Sequence, residues 1–135
     1  WPVSSVNLIK ETPNNELGVN GILSMMPGGF FIYADDETEK IISVNEMMLD
    51  IFECETLDDF LELTNGSFSG IVHPEDYQEV RNSIYEQINA SDKKMDYVRY
   101  RIITKTGKIK FVRDYGHLVH MDSDVDLFYV FIVEE

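Results

Sequence analysis

The spacing of apolar positions changes from helical to extended along the chain. Between Tyr77 and Ile88 apolar residues recur at intervals of three and four, which predicts one face of a helix of about four turns. In the last third of the chain, residues 96–104, 109–121 and 127–133 predict three strands in meander order. Two β-branched and aromatic runs, at 30–34 and 40–44, predict an earlier β-hairpin.

Helix-start signals divide the region between the hairpin and the meander. Asn45 can cap a helix over 46–52, and Thr56 with Asp59 resembles a capping box for the next helix. His73-Pro74-Glu75-Asp76 predicts the start of the long helix, because proline and acidic residues favour the first turn. Near the N-terminus, Asn14 or Asn15 can cap a further helix through Leu17 to Met26.

These elements predict an α+β fold. The order β-β-α-α-α-β-β-β indicates an antiparallel sheet of about five strands, with short helices on one face and an N-terminal flanking helix. Residues 1–17 are interpreted as the flanking segment and residues 18–135 as the domain. The last strand is apolar on both faces, so we expect it in the middle of the sheet. Either the N-terminal segment or a partner subunit would then cover its outer side.

The turn at Lys105 to Lys108 decides which side chains share a face of the sheet. A loop of two or four residues places Tyr100 opposite Arg113 and Val98 opposite Tyr115. The more apolar face, assigned to the core, then carries Arg113, Tyr115 and His117. A buried arginine needs a core acid or a bound ligand, unless a β-bulge turns it outward.

The net charge and the cysteine content limit the partners and the cellular location that we expect for the protein. The 135 residues include 25 acidic and 11 basic ones, with a net charge of -14. Such a surface repels nucleic acid and anionic membrane surfaces, so neither is expected as a partner. Cys54 is the single cysteine, which excludes an internal disulfide and favours a cytoplasmic, reducing location. The first residue is Trp1, so we interpret the chain as a fragment of a larger protein.

Several short motifs carry a family resemblance. The chain from 18 to 135 resembles a PAS domain of the kind found in bacterial sensor histidine kinases and diguanylate cyclases. The resemblance implies a small domain that senses a ligand or passes on a conformational signal, often as a dimer, to an effector C-terminal to it. Phe111 departs from the tryptophan that many relatives have, and the chain ends before their Asp-Ile-Thr signal. The motifs are Met26-Pro27-Gly28-Gly29-Phe30, Ile42-Ser43-Val44-Asn45, Val72-His73-Pro74-Glu75-Asp76, Tyr100-Arg101 with Lys105-Thr106-Gly107, and Phe111-Val112-Arg113-Asp114-Tyr115-Gly116.

Cofactor and catalytic chemistry find little support in the sequence. A flavin photosensor of this family needs a cysteine in an Asn-Cys-Arg context, whereas Cys54 lies between two glutamates. His117 is the only candidate for an axial haem ligand, and strand alternation separates it from His120. The aspartates at 122, 124 and 126 lack the glycine and glutamate of a calcium loop. An acid–base enzyme would need a carboxylate beside His117, and no candidate is evident, so we expect no catalysis.

The leading hypothesis is a regulatory sensor that binds a small, unidentified ligand between helices and sheet. Arg113 would bind an anionic group of that ligand. The alternative is a ligand-free homodimerisation module, indicated by the apolar last strand and the amphipathic N-terminal segment. The predicted lining residues are Phe31, Tyr33, Met48, Phe52, Phe60, Tyr100, Arg113, Tyr115 and His117.

Overall fold

Six strands form one sheet in the order β1-β3-β2-β6-β5-β4. The computed structural model describes residues 6–10, 19–122 and 124–135. The elements are β1 (Asn7–Ile9), α1 (Val19–Ser24), β2 (Gly29–Ala34), β3 (Ile41–Asn45), α2 (Glu46–Ile51), α3 (Leu57–Thr64), α4 (Phe68–Ile71), α5 (Tyr77–Ala90), β4 (Met95–Ile103), β5 (Ile109–Val119) and β6 (Leu127–Glu134).

The predicted α+β class is confirmed, with one strand more than expected. β1 lies parallel to β3, so the sheet is mixed, whereas the other strand pairs are antiparallel. A strand of three residues is too short to show alternation, which explains why the sequence pattern did not predict it. β6 lies between β2 and β5, and the central position predicted for the last strand is therefore correct.

Local capping chemistry determines the helix starts. The side chain of Asn45 accepts a hydrogen bond from the Met48 amide at 3.2 Å, and Thr56 accepts one from the Asp59 amide at 3.1 Å. Both predicted caps are confirmed. Asp76 precedes α5 without capping it, because its carboxylate instead binds Arg101 at 2.7 Å. Ser67 caps the one-turn helix α4 by accepting a hydrogen bond from the Ser69 amide.

The N-terminal prediction is tested only in part. α1 spans Val19–Ser24, within the helix predicted through Leu17 to Met26. The flanking segment 1–17 and its caps, Asn14 and Asn15, fall outside the described residues, apart from residues 6–10. In the described part of the chain, no helix has both the length and the apolar character needed to span a membrane.

An aromatic stack forms the centre of the core beneath the helices. The rings of Tyr33 and Phe68 are parallel with centroids 4.5 Å apart, and Phe128 lies 4.9 Å from Tyr33 on the other side. Phe31 stacks at 6.2 Å from Phe68, and Tyr100 meets Phe68 edge-on at the same distance. These contacts join β2, β4 and β6 to α4, so the aromatic residues of the inner face are packed against one another.

Glu39 connects the β2–β3 turn to the helices. This residue has a φ of 50° and is 4% exposed. Its carboxylate accepts a hydrogen bond from the Tyr77 hydroxyl at 2.7 Å and lies 3.7 Å from Arg81 Nε. Its carbonyl oxygen accepts a hydrogen bond from the Phe68 amide at 3.0 Å. One turn residue therefore contacts both α4 and α5.

Candidate ligand site on the inner face of the sheet

The β4–β5 turn sets the register of the strands that carry the site. The Thr104 amide donates to the Lys108 carbonyl at 2.8 Å, and Gly107 has a φ of 88°. The three residues between Thr104 and Lys108 form the loop, which has an odd number of residues. A three-residue loop with glycine in the left-handed region is a common hairpin connection. Ile103 consequently pairs with Ile109, and Tyr100 pairs with Val112.

The predicted register of this hairpin was wrong by one residue. A shift of one residue moves every side chain of a strand to the other face of the sheet. Arg113, Tyr115 and His117 are therefore on the outer face and exposed, with 47% of Tyr115 accessible. Arg113 Nε lies 3.5 Å from Glu135, which supplies the acid that this arginine needs. The inward orientation expected for these three residues is therefore wrong, and none of them lines the space between the sheet and the helices, where an axial haem ligand at His117 would have to point.

The other six predicted lining residues lie on the inner side of the sheet or on the helices that cover it. Each is at most 3% exposed, so their predicted burial is confirmed. Phe52 and Phe60 meet edge-on with centroids 5.2 Å apart and join α3 to the segment after α2. Contact between a ligand and this set stays a prediction. The six residues are Phe31, Tyr33, Met48, Phe52, Phe60 and Tyr100.

Two carboxyl groups on the inner face were missed by the sequence analysis. Asp96 is 7% exposed and Asp114 is 1% exposed. Asp96 lies opposite Gly116, and Asp114 lies opposite Val98, which makes the two aspartates diagonal neighbours on one face. Asp114 accepts a hydrogen bond from the Tyr100 hydroxyl at 2.6 Å. In contrast, neither carboxyl oxygen of Asp96 has a hydrogen-bond partner among the described residues.

Gly116 makes room for the Asp96 side chain. A Cβ atom at this position would lie 2.5 Å from Asp96 Oδ2, closer than two such atoms can approach. A glycine inside a strand often marks the close approach of another group. Gly116 was the available sequence signal for this site. Asp96 shares a face with Val98 and Tyr100 whatever the turn, and an odd turn would have placed Gly116 and Asp114 on that same face.

Burial dominates the electrostatics of the pair. It raises the pKa of Asp96 from 3.8 to about 6. The pKa of Asp114 is raised well above its ordinary value by burial and further by the neighbouring Asp96, while the hydrogen bond from Tyr100 acts in the opposite direction. Burial therefore disfavours the ionised form of both carboxyl groups. A buried carboxylate without a donor is energetically unfavourable, so this position favours a positively charged partner.

A surface groove lies at the β4 edge of the sheet, and neither Asp96 nor Asp114 is among the residues that line it. The groove has a volume of about 400 Å³ and lies between α5 and β4. Val80 and Ser83 line it on the helix side, and Val98 and Tyr100 line it on the strand side. Val98 is opposite Asp114, and the Tyr100 hydroxyl donates a hydrogen bond to Asp114, so two residues that line the groove are neighbours of this acid.

Other candidate chemistry is not assembled within the described residues. Burial raises the pKa of the Cys54 thiol, and Asp59 adds to that increase, so this cysteine is a weak nucleophile. His117 and His120 are both exposed, and His120 contacts Asp126 at 3.0 Å. Across the part of the chain that the structure covers, no group of three or more histidine, cysteine or acidic side chains could hold a metal ion.

Comparison with known proteins identifies the family. The sequence profile described as PAS fold matches residues 32–133. Among solved structures, a PAS domain of a two-component sensor histidine kinase is similar, with 14% identity and a TM-score of 0.60, over 84% of this chain and 90% of that one. The N-terminal domain of a diguanylate cyclase with a PAS/PAC sensor from Marinobacter aquaeolei matches with 17% identity and a TM-score of 0.54, over 79% and 94%.

A third similar structure is the PAS domain, in complex with ethanol, of a LuxR-family transcriptional regulator from Burkholderia thailandensis. It has 13% identity and a TM-score of 0.63, over 87% of this chain and 97% of that one. Identities this low establish the fold alone, and no curated protein matches the chain. The profile match covers most of the chain, so the chain belongs to the PAS family.

Proposed function

We propose that the chain is the sensory module of a bacterial signal-transduction protein, such as a histidine kinase or a diguanylate cyclase. It binds a small ligand between the inner face of the sheet and the helices, and it relays binding to an effector outside these residues. PAS domains are sensory modules and are not themselves catalytic. A cytoplasmic location and a homodimeric state, both expected from the sequence, are part of this proposal.

The observation that carries the proposal is the unpartnered carboxylate of Asp96. Buried polar groups in native proteins are nearly always hydrogen-bonded, and exceptions are often explained by a missing ion, water or ligand. Asp96 lies on the sheet face that the helices cover, with aromatic residues on neighbouring strands. The ethanol complex of the Burkholderia thailandensis PAS domain supports binding of small polar molecules by this fold.

A thermal-shift screen of the 135-residue chain against small metabolites tests the proposal. We expect at least one compound to raise Tm and to shift the backbone amide NMR signals of Asp96, Asp114 and Gly116. Val98→Phe, which fills the inner end of the groove, should weaken that response. Tyr115→Ser, on the outer face, should leave it unchanged. If no compound perturbs the inner-face amides, or if Val98→Phe binds as well as wild type, ligand sensing at this site is refuted.

A second candidate function is ligand-free dimerisation through the outer face of the sheet. This alternative rests on exposed aromatic residues: Tyr97 and Tyr115 are 45% and 47% exposed, with ring centroids 5.1 Å apart. Phe111 is 41% exposed and lies under Arg99, whose guanidinium carbon is 4.0 Å from the ring centroid. Exposed apolar patches of this kind often serve as protein interfaces.

Sedimentation velocity at micromolar concentrations tests whether the outer face is a dimer interface. If the outer face is an interface, wild type should sediment as a dimer and Phe111→Ser/Tyr115→Ser as a monomer. An exposed-residue control, Lys108→Ser, should sediment as wild type. A strictly monomeric wild-type chain would contradict both the dimerisation function and the homodimeric state proposed above, whereas ligand binding has its own test.

A further inference from the structure

Within the part of the chain that the structure describes, the Asp96 carboxylate has no hydrogen-bond partner. On β5 it faces Gly116, and next to Gly116 on β6 lies Val130. α5 packs on β4 and turns its buried residues towards the sheet, and all of these are apolar: Val80, Ile84 and Ile88. The polar groups near Asp96 on this face are Asp114, which accepts a hydrogen bond from Tyr100, and the hydroxyl groups of Tyr100 and Tyr33.

The charge of this environment selects the kind of ligand. Two carboxyl groups with no nearby cation repel an anion, which reverses the specificity that the sequence suggested through Arg113. A bare divalent cation needs about six oxygen ligands, and the described residues offer no cluster of three candidate ligands. An organic ammonium group needs fewer protein oxygens, because each of its N–H groups donates a single hydrogen bond.

We propose that Asp96 anchors the ammonium group of a small organic amine, with Asp114 and Tyr100 beside it. This inference rests on the proposed sensory function and assigns its ligand class. The ammonium donates to the two free oxygens of Asp96 and neutralises the buried charge. The apolar part of the amine packs between Val98 and the inward side chains of α5, along the inner end of the groove between α5 and β4.

Matched pairs of amines and alcohols test the ligand class directly. Ethylammonium with ethanol, propylammonium with 1-propanol, and benzylammonium with benzyl alcohol have similar shapes and differ in charge. We expect the amine of at least one pair to bind wild type about tenfold more tightly than its alcohol at pH 7.5, since hydrogen bonds to charged groups exceed neutral ones. NMR titration measures both affinities and shows whether the amides of Asp96 and Gly116 respond.

Two variants assign the preference to the carboxylate. In Asp96→Asn the amine-to-alcohol affinity ratio should fall to about one, because the group that forms the charged hydrogen bond is gone. Asp92→Asn removes an exposed negative charge four residues away and should retain the wild-type ratio. Thermal unfolding of both variants checks that each is folded, and Asp96→Ser provides a second inner-face variant if the asparagine proves unsuitable.

The outcomes distinguish this inference from the sensory function on which it rests. Alcohols that bind as tightly as their amines, or an amine preference that survives in Asp96→Asn, would overturn the ligand class. A neutral or anionic metabolite that perturbs the same inner-face amides would also overturn it, while leaving the sensory function standing. The sensory function itself fails only if the wider metabolite screen finds no compound that binds at this face.

Discussion

A single missing side chain makes the acid pair sterically possible. Gly116 leaves the space that the Asp96 carboxylate occupies, so the two positions depend on each other. Gly70 is a different case, because a Cβ atom there would lie 1.8 Å from the backbone oxygen of Thr64. A side chain can shift to relieve a close contact, whereas a packed backbone shifts only with the elements that contain it. The two glycines therefore differ in how their substitution can be compensated.

Gly116→Ala should lower the free energy of unfolding by about 1–3 kcal/mol, the usual cost of overpacking. In an Asp96→Ala background this cost should be smaller by at least about 0.5 kcal/mol, the coupling expected for residues in contact. Urea denaturation of the four proteins in the cycle measures both quantities. Gly70→Ala is the control, and its cost should be the same in both backgrounds. Purely additive effects of Gly116→Ala and Asp96→Ala would contradict the close contact.

Asp96 should also make stability depend on pH. Its pKa is about 6 in the folded protein, above the 3.8 of an unperturbed aspartate. The folded state therefore binds the proton more tightly than the unfolded state, and stability is lost as pH rises from about 4 through 6. Asp96→Asn should remove this slope and raise the free energy of unfolding at pH 7 by about 2 kcal/mol.

Urea unfolding at several pH values measures the effect of Asp96→Asn in the absence of ligand. Asp114 and Tyr33 are present in both proteins, and because Asp96 raises the pKa of each, the difference between the two curves reports Asp96 together with its effect on these neighbours. Asp92→Asn should change the free energy of unfolding by less than about 0.5 kcal/mol, as is usual at the surface. Parallel pH curves for wild type and Asp96→Asn would refute the assignment.

At the scale of elements, local sequence signals predicted the helix starts correctly, whereas the length of the β4–β5 turn was predicted wrongly. The caps at Asn45 and Thr56 were predictable because capping involves residues at most three apart. The register of β5 was not, because both of its faces mix apolar and polar residues, so hydrophobicity alone could not choose the inner one. That choice depended on the number of loop residues before Lys108, and Asp114 was missed with it, whereas Asp96 shares the face of Val98 in either register.

β4 is an edge strand, and groups of α5 and of the turn before it occupy the edge where another chain could pair. The side-chain amide of Gln87 donates a hydrogen bond to the backbone carbonyl of Tyr97 and accepts one from the backbone N–H of Tyr97, both at 2.9 Å. Asp76 accepts from the Arg101 amide at 3.0 Å, and Arg101 accepts from the His73 amide at 2.8 Å. Natural proteins commonly cover such edges, since exposed ones promote aggregation.

Gln87→Ala should release the backbone of Tyr97 at this edge. We expect faster hydrogen exchange of the Tyr97 amide and a loss of about 1–2 kcal/mol in the free energy of unfolding, as for two neutral hydrogen bonds. Gln87→Glu keeps the acceptor for the Tyr97 amide and should show slower exchange there than Gln87→Ala. Equal exchange rates in wild type and Gln87→Ala would show that the side chain does not protect the edge.

At the scale of the whole molecule, the dominant property is the excess of negative charge. A net charge of -14 on 135 residues opposes the compact state through repulsion between carboxylates. The few basic residues form ion pairs with some of the acidic ones. Among the described residues, Arg99 and Arg113 pair with Glu135, and Lys105 pairs with Asp59 at 2.9 Å. Such exposed pairs contribute little individually, so the overall repulsion should control how salt affects stability.

Raising NaCl from about 20 to about 200 mM should stabilise the protein, because the screening length falls from roughly 20 to 7 Å. We expect Tm at pH 7 to rise by roughly 3–6 °C, which corresponds to about 1 kcal/mol for a domain of this size. Differential scanning calorimetry measures the change. The same experiment near pH 4.4, the isoelectric point, serves as the control and should show little salt effect. A Tm that falls with salt at pH 7 would contradict the role of net repulsion.

The position of Glu39 has a mechanical consequence. Because its carboxylate contacts Tyr77 and Arg81 on α5 while its carbonyl oxygen accepts a hydrogen bond from α4, the β2–β3 turn moves with both helices or breaks these bonds. β2 also pairs directly with β6, the central strand. A tilt of α5 at the groove would therefore pull on the middle of the sheet through this turn, far from the point where the helix itself was displaced.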